Sequence, residues 1–332
     1  MGLKPAFEIM ANDQDISAAL QQRLISLRVT DQSGWESDTL DITLADSDPL
    51  KPLALPKTGA ELTVKLGYVG ELHNLGTYIV DALELSGPPN QLSIKAKAAP
   101  QEQTPEGKTS LSTQKTRSWE AGTTLQNMVS KIASEHGLEP AVGESLKAKP
   151  LPHVDQVNES DINLLTRICK DLNALVKPAA GKLVVVKRGE SKSTRGQPLN
   201  SINLTATEIT DWRLSIQKRE VPKSVIATYR NIKQAKDVEV VVGTGEPVKR
   251  LKHSYADATS ATEAAQAELD KGQRSEQSVS ISLPGRPDIR AERRINIEGL
   301  RAGVNGEWLV TQVEHRLESG GFRTSLTAQA VS

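Results

Sequence analysis

A pattern of short β-strands and glycine turns occurs twice in this sequence. The first copy consists of Leu62, Val64, Leu66, Gly67, Tyr78, Val80, Leu83, Ser86, Gly87, Leu92, Ile94, Ala96 and Ala98. The second copy, in the same order, consists of Ile295, Ile297, Gly299, Trp308, Val310, Val313, Ser319, Gly320, Phe322, Thr324, Leu326, Ala328 and Ala330. Any two antiparallel meanders resemble each other, because alternation and glycine turns recur in all of them. The more specific interpretation is a β-barrel domain that occurs twice in the chain. Closing the sheet of each copy into a barrel would remove its exposed strand edges.

The rest of the first hundred residues also alternates as strands do. Apolar side chains recur at every second position in two further runs: Ile25, Leu27 and Val29, then Leu40, Ile42 and Leu44. Residues 31–34, 56–59 and 87–90 carry the Gly, Pro, Asn and Asp residues that reverse a chain. A short helix is predicted after Asp15, which could cap it.

A different unit is predicted in the middle of the chain. Residues 101–115 are almost without apolar side chains and indicate a linker or insertion. Thr123 or Thr124 can cap a helix that Gly137 ends, and Ser160 can begin a second. Their apolar faces are Leu125, Met128, Val129 and Ile132, then Ile162, Leu165, Ile168, Cys169 and Leu172. Two strands, 174–177 and 182–187, follow and turn at residues 180–181.

Strand alternation returns after a second linker-like stretch at 189–197. It is seen at Ile202 and Leu204, at Trp212, Leu214 and Ile216, at Val225, Ala227 and Tyr229, and at residues 238–242. One helix is predicted among these strands, with Ser260 and Glu263 as a capping box and Gly272 at its end. Its small-residue face is Ala261, Ala264, Ala265 and Leu269.

These elements predict an α+β, mainly β protein in which a small α/β domain is inserted between two tube-protein-like β-barrels. The expected divisions are residues 1–100 for the first barrel, 101–117 for a linker or insertion, 118–190 for the small domain, and 191–332 for the second barrel with its packed helix. A chain of 332 residues is long enough for several domains.

Composition excludes some functions. The 41 basic and 41 acidic residues balance, so no overall field draws the chain to nucleic acid or anionic lipid. Cys169 is the single cysteine, which rules out an intrachain disulfide and a multi-cysteine metal site. It is expected to be a small core residue. No apolar run has the length of a signal peptide or a membrane span.

No catalytic, cofactor or metal residues are predicted. The five histidines are scattered without the i, i+4 spacing of a helical zinc motif: His73, His136, His153, His253 and His315. Glu314 and His315 are neighbours on a predicted strand and therefore face opposite sides. There is no nucleophile elbow. Residues 243–245 resemble a phosphate loop only superficially, because no Lys-Ser or Lys-Thr follows, and they are predicted to form a hairpin turn.

A local basic cluster has two interpretations. It consists of Arg286, Arg290, Arg293, Arg294 and Arg301. It could face a lumen through which DNA passes, or an acidic partner. Equally, it could be a solvated strand face balanced by Asp288, Glu292 and Glu298.

Several local motifs together resemble one family. They are residues 119–120 (Trp-Glu) before 123–125 (Thr-Thr-Leu), 136–140 (HGLEP), 155–161 (DQVNESD) running into 164–167 (LLTR), 283–288 (LPGRPD), and 306–308 (GEW) with His315. The sequence is similar to the late control protein D family, the baseplate hub proteins of contractile phage tails and tail-like bacteriocins. The resemblance spans nearly the whole chain and extends to the N-terminal hub part of type VI secretion spike proteins.

The resemblance implies a non-enzymatic structural subunit in the baseplate of a virion or tail-like particle, assembled in the bacterial cytoplasm. It implies a homotrimer forming a pseudo-six-fold ring that joins the tail tube protein to a trimeric spike and contacts other baseplate proteins. The resemblance implies neither a membrane partner nor a cofactor. Nucleic acid is expected only as DNA that passes through the lumen of the ring.

Two alternatives remain open at this point. One is a tail-associated cell-wall hydrolase or peptidoglycan-binding protein, although Trp119 is the one aromatic residue of the middle module that could serve a carbohydrate site. The other is a transcription factor, which the zero net charge and the lack of a recognition-helix motif oppose.

Overall fold

The structure is a computed structural model that describes residues 4–34, 37–47, 52–98, 111–179, 181–190, 197, 200–216, 221–231, 234–274 and 277–331. The chain divides into two compact units. Unit 1 consists of residues 1–99, 201–214 and 279–328, and unit 2 consists of residues 100–200, 215–278 and 329–332. Both ends of the sequence thus contribute strands to unit 1. None of the described helices has the length and apolar character needed to cross a membrane.

The first part of unit 1 forms the strands that the alternation predicts, together with one long strand that the sequence analysis missed. The elements are β1 (Pro5–Ala11), β2 (Gln14–Asp15), α1 (Ser17–Gln21), β3 (Leu24–Gln32), β4 (Thr39–Ala45), β5 (Glu61–Tyr68), β6 (Glu71–Ser86) and β7 (Gln91–Ala98). The missed strand, β1, pairs antiparallel with β5. Helix α1 follows Asp15, whose carboxylate accepts the backbone N–H of Ser17 at 2.9 Å.

The second part of unit 1 is built from later segments of the chain. Its strands are β13 (Ile202–Thr205), β14 (Asp211–Ile216), β18 (Gln277–Pro284), β19 (Arg294–Glu298), β20 (Gly306–Glu318) and β21 (Gly321–Ala330). Together with the first part they form one continuous sheet. Inward side chains of the first part and the nearby Leu317 and Phe322 share a hydrophobic core.

The two parts of this sheet have the same strand order. In the first part the strands lie side by side as β3, β4, β7, β6, β5 and β1, and in the second as β14, β18, β21, β20, β19 and β13. Each strand therefore has a counterpart at the same position. One difference is the edge strand, because β1 pairs antiparallel with β5 whereas β13 pairs parallel with β19. The repeated sequence pattern thus corresponds to a repeated topology.

The middle of the chain folds into the predicted mixture of helices and short strands. Its elements are β8 (Gln114–Trp119), α2 (Leu125–Glu135), β9 (Glu139–Val142), α3 (Glu144–Lys147), β10 (Val154–Ser160), α4 (Asp161–Asp171), β11 (Ala174–Ala179) and β12 (Lys182–Lys187). Strand β8 pairs with β10, while β12 lies between β11 and β9. The apolar faces of α2 and α4 share one core with Leu183 and Val185 of β12.

Both predicted helix caps are present in this module. Thr124, rather than Thr123, caps α2, because its hydroxyl accepts the N–H of Asn127 at 3.2 Å. Ser160 caps α4 by accepting the N–H of Asn163 at 3.4 Å. Gly137 follows α2 with φ of 72°, a conformation that glycine adopts without strain.

The predicted linker is shorter than its composition indicated. Residues 101–110 lie outside the described part of the chain, but residues 114–117 belong to β8. The composition of this segment did not indicate a strand, because Lys115 and Arg117 bind the buried carboxylate of Asp161 instead of facing water. A charged strand of this kind has no apolar alternation to reveal it.

Unit 2 also contains a three-stranded sheet covered by a helix. Its elements are β15 (Ser224–Asn231), β16 (Lys236–Gly243), β17 (Val248–Tyr255) and α5 (Ala258–Arg274). Ala261, Ala265 and Leu269 of α5 pack on Val225 and Ala227 of β15, as the small-residue face predicts. Small side chains allow the helix to lie close to the sheet.

Three details of this region were predicted wrongly. Asp257 accepts the N–H of Ser260 at 2.8 Å, so the helix begins earlier than the proposed capping box, and Glu263 instead pairs with Lys149. The helix also continues past Gly272 to Arg274. Finally, residues 243–245 do not form a hairpin, because β15 lies between β16 and β17. Sequence spacing alone cannot tell whether consecutive strands are neighbours in a sheet.

Candidate functional site

The two parts of the unit 1 sheet meet at one pair of strands. Residues 26–32 of β3 pair antiparallel with residues 312–318 of β20, with Val29 opposite His315 and Leu27 opposite Leu317. On one face of this junction these side chains are buried. On the other face, Arg28 Nε lies 3.9 Å from a carboxylate oxygen of Glu314, a distance at which the charges attract without a hydrogen bond. We call this strand pair the internal junction.

His315 is a fully buried histidine within the internal junction. Its Nε2 lies 3.2 Å from the carbonyl oxygen of Ile289, which can only accept, so Nε2 carries the proton. Its Nδ1 therefore accepts from the hydroxyl of Thr324 at 3.0 Å, and that hydroxyl accepts the N–H of Arg286 at 2.8 Å. Burial, and then the charge of Arg290, lower the pKa of His315 to about 4. The imidazole is thus neutral near pH 7. As predicted, Glu314 and His315 do not share a site.

The segment 283–288 connects the two parts of the sheet near this histidine. The hydroxyl of Tyr68, in β5, donates to the carbonyl oxygen of Gly285 at 3.0 Å. Gly285 in turn donates its N–H to the carbonyl oxygen of Phe322 at 2.9 Å, and the rings of Tyr68 and Phe322 have centroids 5.7 Å apart. The Phe322 ring occupies the place where a side chain of residue 285 would lie.

Replacing Gly285 by alanine should therefore destabilise unit 1. The added methyl group would collide with the ring of Phe322, which is held between Tyr68 and the sheet. We expect a loss of about 1–3 kcal/mol in unfolding free energy, as for other overpacked positions. Chemical denaturation measures it, with Gly320→Ala as the control, because nothing lies within 4 Å of a side chain there and its backbone, like that of Gly285, is outside the left-handed region. Equal effects of the two variants would contradict a steric role specific to Gly285.

Most arginines of the predicted basic cluster have partners within unit 1. Arg286 binds Asp288 through two contacts of 2.9 Å and reaches Glu208 at 3.0 Å. Arg290 donates to the backbone carbonyl of Asn74 at 2.5 Å. Other contacts are those of Arg290 with the Leu75 carbonyl and of Arg294 with Glu307. Asp288 balances Arg286 as predicted, but Arg286 and Arg290 lie in the loop between β18 and β19 rather than on a strand face. Whether any of these side chains faces a lumen stays a prediction.

Unit 2 contains a buried cluster of charges centred on Asp161, the last residue of the 155–161 motif. One carboxylate oxygen of Asp161 accepts from Arg117 at 2.6 Å and from Gln156 at 2.8 Å. The other accepts from Lys115 at 2.7 Å and from His136 at 2.8 Å. Burial opposes ionisation of Asp161, but these hydrogen bonds and the charge of Arg117 outweigh it and lower its pKa to about 2.

Glu135 completes this cluster and balances its charge. It accepts from Arg117 at 2.7 Å and from Lys115 at 2.9 Å, so two carboxylates share two cationic side chains. Glu135, His136 and Asp161 each offer one atom in an arrangement that could hold a metal ion. The positions next to their oxygens are already taken by Lys115 and Arg117, which supply the positive charge a metal would bring. The donor set therefore fits a structural ion cluster better than a metal site.

The cluster explains why the motif residues occur together. Residues 136 and 161 belong to two motifs that are separated in sequence, and the structure brings them into direct contact. Trp119, from a third motif, is 6% exposed and lies beneath Arg117, whose guanidinium is 4.6 Å from the ring centroid. It is thus not placed as an exposed carbohydrate platform. Sequence reasoning missed the cluster, because Lys115 and Arg117 lie 46 and 44 residues before Asp161 in the chain.

Cys169 lies in the core of unit 2, as predicted. It is buried among the apolar residues of α2 and α4, and burial raises the pKa of its thiol to about 12. The thiol is therefore protonated and unreactive near neutral pH.

Solved structures of phage tail proteins share this fold over almost the whole chain. The 43 kDa tail protein of prophage MuSo2 from Shewanella oneidensis has a TM-score of 0.71 at 14% identity, with 98% of each chain covered. A tail protein from Neisseria meningitidis MC58 has a TM-score of 0.72 at 11% identity, covering 98% and 97% of the two chains. The E. coli c3393 protein, described as a component of the type VI secretion system, has a TM-score of 0.61 at 9% identity. The match covers 93% of this chain and 74% of that protein's chain. The fold is thus that of phage tail proteins.

Sequence comparison identifies the family. The family model described as phage tail baseplate hub (GPD) matches residues 37–321. Two proteins named "Probable baseplate hub protein", from Escherichia phages 186 and P2, are 33% and 30% identical, each covering 98% of this chain and 92% of the relative. The chain belongs to the phage tail baseplate hub family, which confirms the resemblance found in the sequence and its place in the tail baseplate.

Proposed function

We propose that the chain is a trimeric hub in which three copies contribute six equivalent sheet regions to one ring. The observation that carries this proposal is the repeated strand order of the two parts of unit 1. Two regions in each of three chains make six, the number that continues a six-fold tube. Strict three-fold symmetry of the chains then matches a trimeric spike on the other face. The subunit would thus convert one symmetry into the other within a single polypeptide.

Each sheet region would correspond to one tube-like barrel. The first barrel would span residues 1–99, and the second would be built from residues 201–214 and 279–328, with the small α/β domain and the β15–β17 sheet of unit 2 between them in sequence. The partners would be the tail tube protein, the spike protein and neighbouring baseplate proteins of a phage tail or a tail-like bacteriocin. DNA would pass through the lumen of the ring without being recognised.

Native mass spectrometry of the purified chain, alone and with its tube and spike proteins, tests this proposal. We expect a species of three chains, present alone or stabilised by the partners. A chain that stays monomeric at micromolar concentration with both partners present would contradict it.

The proposed role is not enzymatic and needs no cofactor. In the buried cluster, the carboxylate of Asp161 already has four hydrogen-bond partners and its side chain is 0% exposed, so it cannot reach a substrate. We expect no release of soluble fragments from purified peptidoglycan at micromolar protein. Measurable release, lost in a variant of a particular side chain, would revive the hydrolase alternative.

A further inference from the structure

Several stretches of strand edge in unit 1 have no neighbouring strand among the described residues, and two of them are the end of β6 and strand β14. The pairing of β6 with β5 ends at Ile79, so residues 81–86 have only β7 beside them. Strand β14 is the terminal strand of the sheet and has only β18 as a neighbour. Both edges expose large apolar side chains, since Leu85 is 59% exposed and Ile216 is 64% exposed. Open edges of this kind are suited to pairing with another chain.

Strand β20 shows what the end of β6 can pair with, because the two strands are counterparts. Tyr78 of β6 lies opposite Leu62 of β5, and Trp308 of β20 lies opposite Ile295 of β19. Tyr78 therefore corresponds to Trp308. In β20 the buried positions then change from even to odd numbers between Val310 and Val313, and in β6 a bulge after Val80 makes the same change of register, so that the half-buried Leu83 corresponds to Val313. The two strands can therefore be matched residue by residue beyond this point.

Counting on from that pair, Leu85 corresponds to His315 and Glu84 corresponds to Glu314. In β20 these positions form the internal junction: His315 is buried against β3, and Glu314 lies beside Arg28 on the other face. The same stretch of β6 is solvent-exposed and pairs on one side only. The first region thus lacks the contact that its counterpart makes.

Strand β14 is the counterpart of β3, the strand that completes the internal junction. Both stand first in the strand order of their regions. Each of these two strands carries an arginine between two apolar residues, and the apolar side chains lie on the more buried face of the sheet. These residues are Leu27, Arg28 and Val29 in β3, and Trp212, Arg213 and Leu214 in β14. In β3 both apolar residues are buried, whereas in β14 both are only half-buried.

We infer that the end of β6 in one chain pairs antiparallel with β14 of a second copy of the chain, in the register of the internal junction. Leu85 then lies opposite Leu214, and Glu84 lies beside Arg213 of the neighbouring copy. The inference rests on the proposed trimer and names the surface that holds it together. It adds a main-chain ladder, an apolar row and an ion pair to each contact between subunits.

Within one chain the two edges are not paired with each other, and a second copy of the chain is the partner that brings both of them together. Strands β18, β21, β20, β3, β4 and β7 lie between β14 and β6 in the sheet. A contact between different surfaces of identical chains is head-to-tail, and such contacts close into a ring when the rotation fits. The internal junction sets the rotation from the first sheet region of a chain to its second. If that rotation is one sixth of a turn, three chains close the ring.

Charge also favours the mixed pair over either edge paired with itself. Two β6 ends paired antiparallel with residue 84 opposite itself would bring together two Glu84 side chains, each already paired with Lys95 of its own chain at 3.1 Å, and two β14 edges paired in the same way at residue 213 would bring together two Arg213 side chains. Like charges across a strand pair are destabilising, while opposite charges are stabilising. The mixed contact reproduces the Arg28 and Glu314 arrangement of the internal junction.

Disulfide trapping tests the pairing and its register. The variant Leu85→Cys/Leu214→Cys is oxidised with diamide at pH 8, where the buried Cys169 does not compete because its pKa is about 12. We expect covalent dimers and trimers on a non-reducing denaturing gel that disappear on reduction. The matched control is Leu85→Cys/Ser215→Cys, which uses the same strands with side chains on opposite faces, keeps Glu84 and Arg213, and should form few cross-links.

The outcomes separate this inference from the proposed trimer. If native mass spectrometry shows three chains but Leu85→Cys/Leu214→Cys does not cross-link, or cross-links no better than the control, the pairing is wrong and the trimer stands. If the chain remains monomeric with its tube and spike partners present, both are wrong. Cross-linked trimer from the facing pair alone supports both.

Charge reversal provides a second test that leaves the apolar row intact. We expect Glu84→Arg and Arg213→Glu each to weaken subunit association about fivefold, the size of a partly exposed ion pair. The double variant should recover most of the loss. Equal or additive weakening in the double variant would show that the two residues do not face each other.

Discussion

The variant Asp161→Asn is expected to lose about 3–5 kcal/mol of stability in unit 2. The substitution keeps the size of the side chain but removes its charge, and it leaves Lys115 and Arg117 with Glu135 as their one remaining carboxylate in the cluster. Removing one partner from a buried ion cluster costs this much because the remaining charges stay desolvated. Hydrogen exchange of the amides in α4 in increasing urea measures the effect locally.

A control for this variant lies in the same motif. Asp155 accepts hydrogen bonds from Ser118 and His153 but has a side chain that is 58% exposed. We expect Asp155→Asn to leave the stability of unit 2 nearly unchanged, because exposed contacts contribute little. If Asp161→Asn behaved like Asp155→Asn, the cluster would not be a structural centre of unit 2.

Acidification from pH 6.5 to pH 4 should destabilise unit 1 by about 3 kcal/mol through His315 alone. The pKa of this histidine is lowered from 6.5 to about 4 in the folded chain. Between these values the unfolded chain binds a proton that the folded chain does not, so stability is lost as pH falls through this window. A protonated ring would also lose the hydrogen bond that Nδ1 accepts from Thr324.

The variant His315→Gln isolates this contribution. It should be less stable than the parent at pH 7, but its unfolding free energy should fall less steeply between pH 6.5 and pH 4.5. Denaturation curves at several pH values measure both quantities. His153→Gln is the control, because His153 is 56% exposed and makes its ion contact at the surface. A parental pH slope in His315→Gln would show that other groups, such as the nearby Asp288, control this dependence.

Strands with one buried face could be predicted from the sequence because their side chains alternate. Val64 and Leu66 in β5, and Ile295 and Ile297 in β19, are all buried as their spacing indicates. Glycine and threonine positions likewise predicted the ends of α2. The duplication was also visible, since it depends on local patterns that recur in order.

Other features depend on contacts between distant residues and could not be read from local patterns. Strand β8 has charged residues on its buried side, and their partner Asp161 lies 46 residues after Lys115. The internal junction joins β3 to β20, whose pairing no turn specifies. The β15–β17 sheet was misjudged at residues 243–245 because a short loop can pass over the end of an intervening strand.

Electron microscopy of the chain assembled with its tail tube protein tests most directly how the subunit joins a six-fold tube to a three-fold spike. The account predicts a ring of six similar sheet regions built from three chains, with β3 against β20 inside each chain and β6 against β14 between chains. A ring built from six chains, or one in which the opening and closing parts of the chain occupy unlike positions, would contradict it.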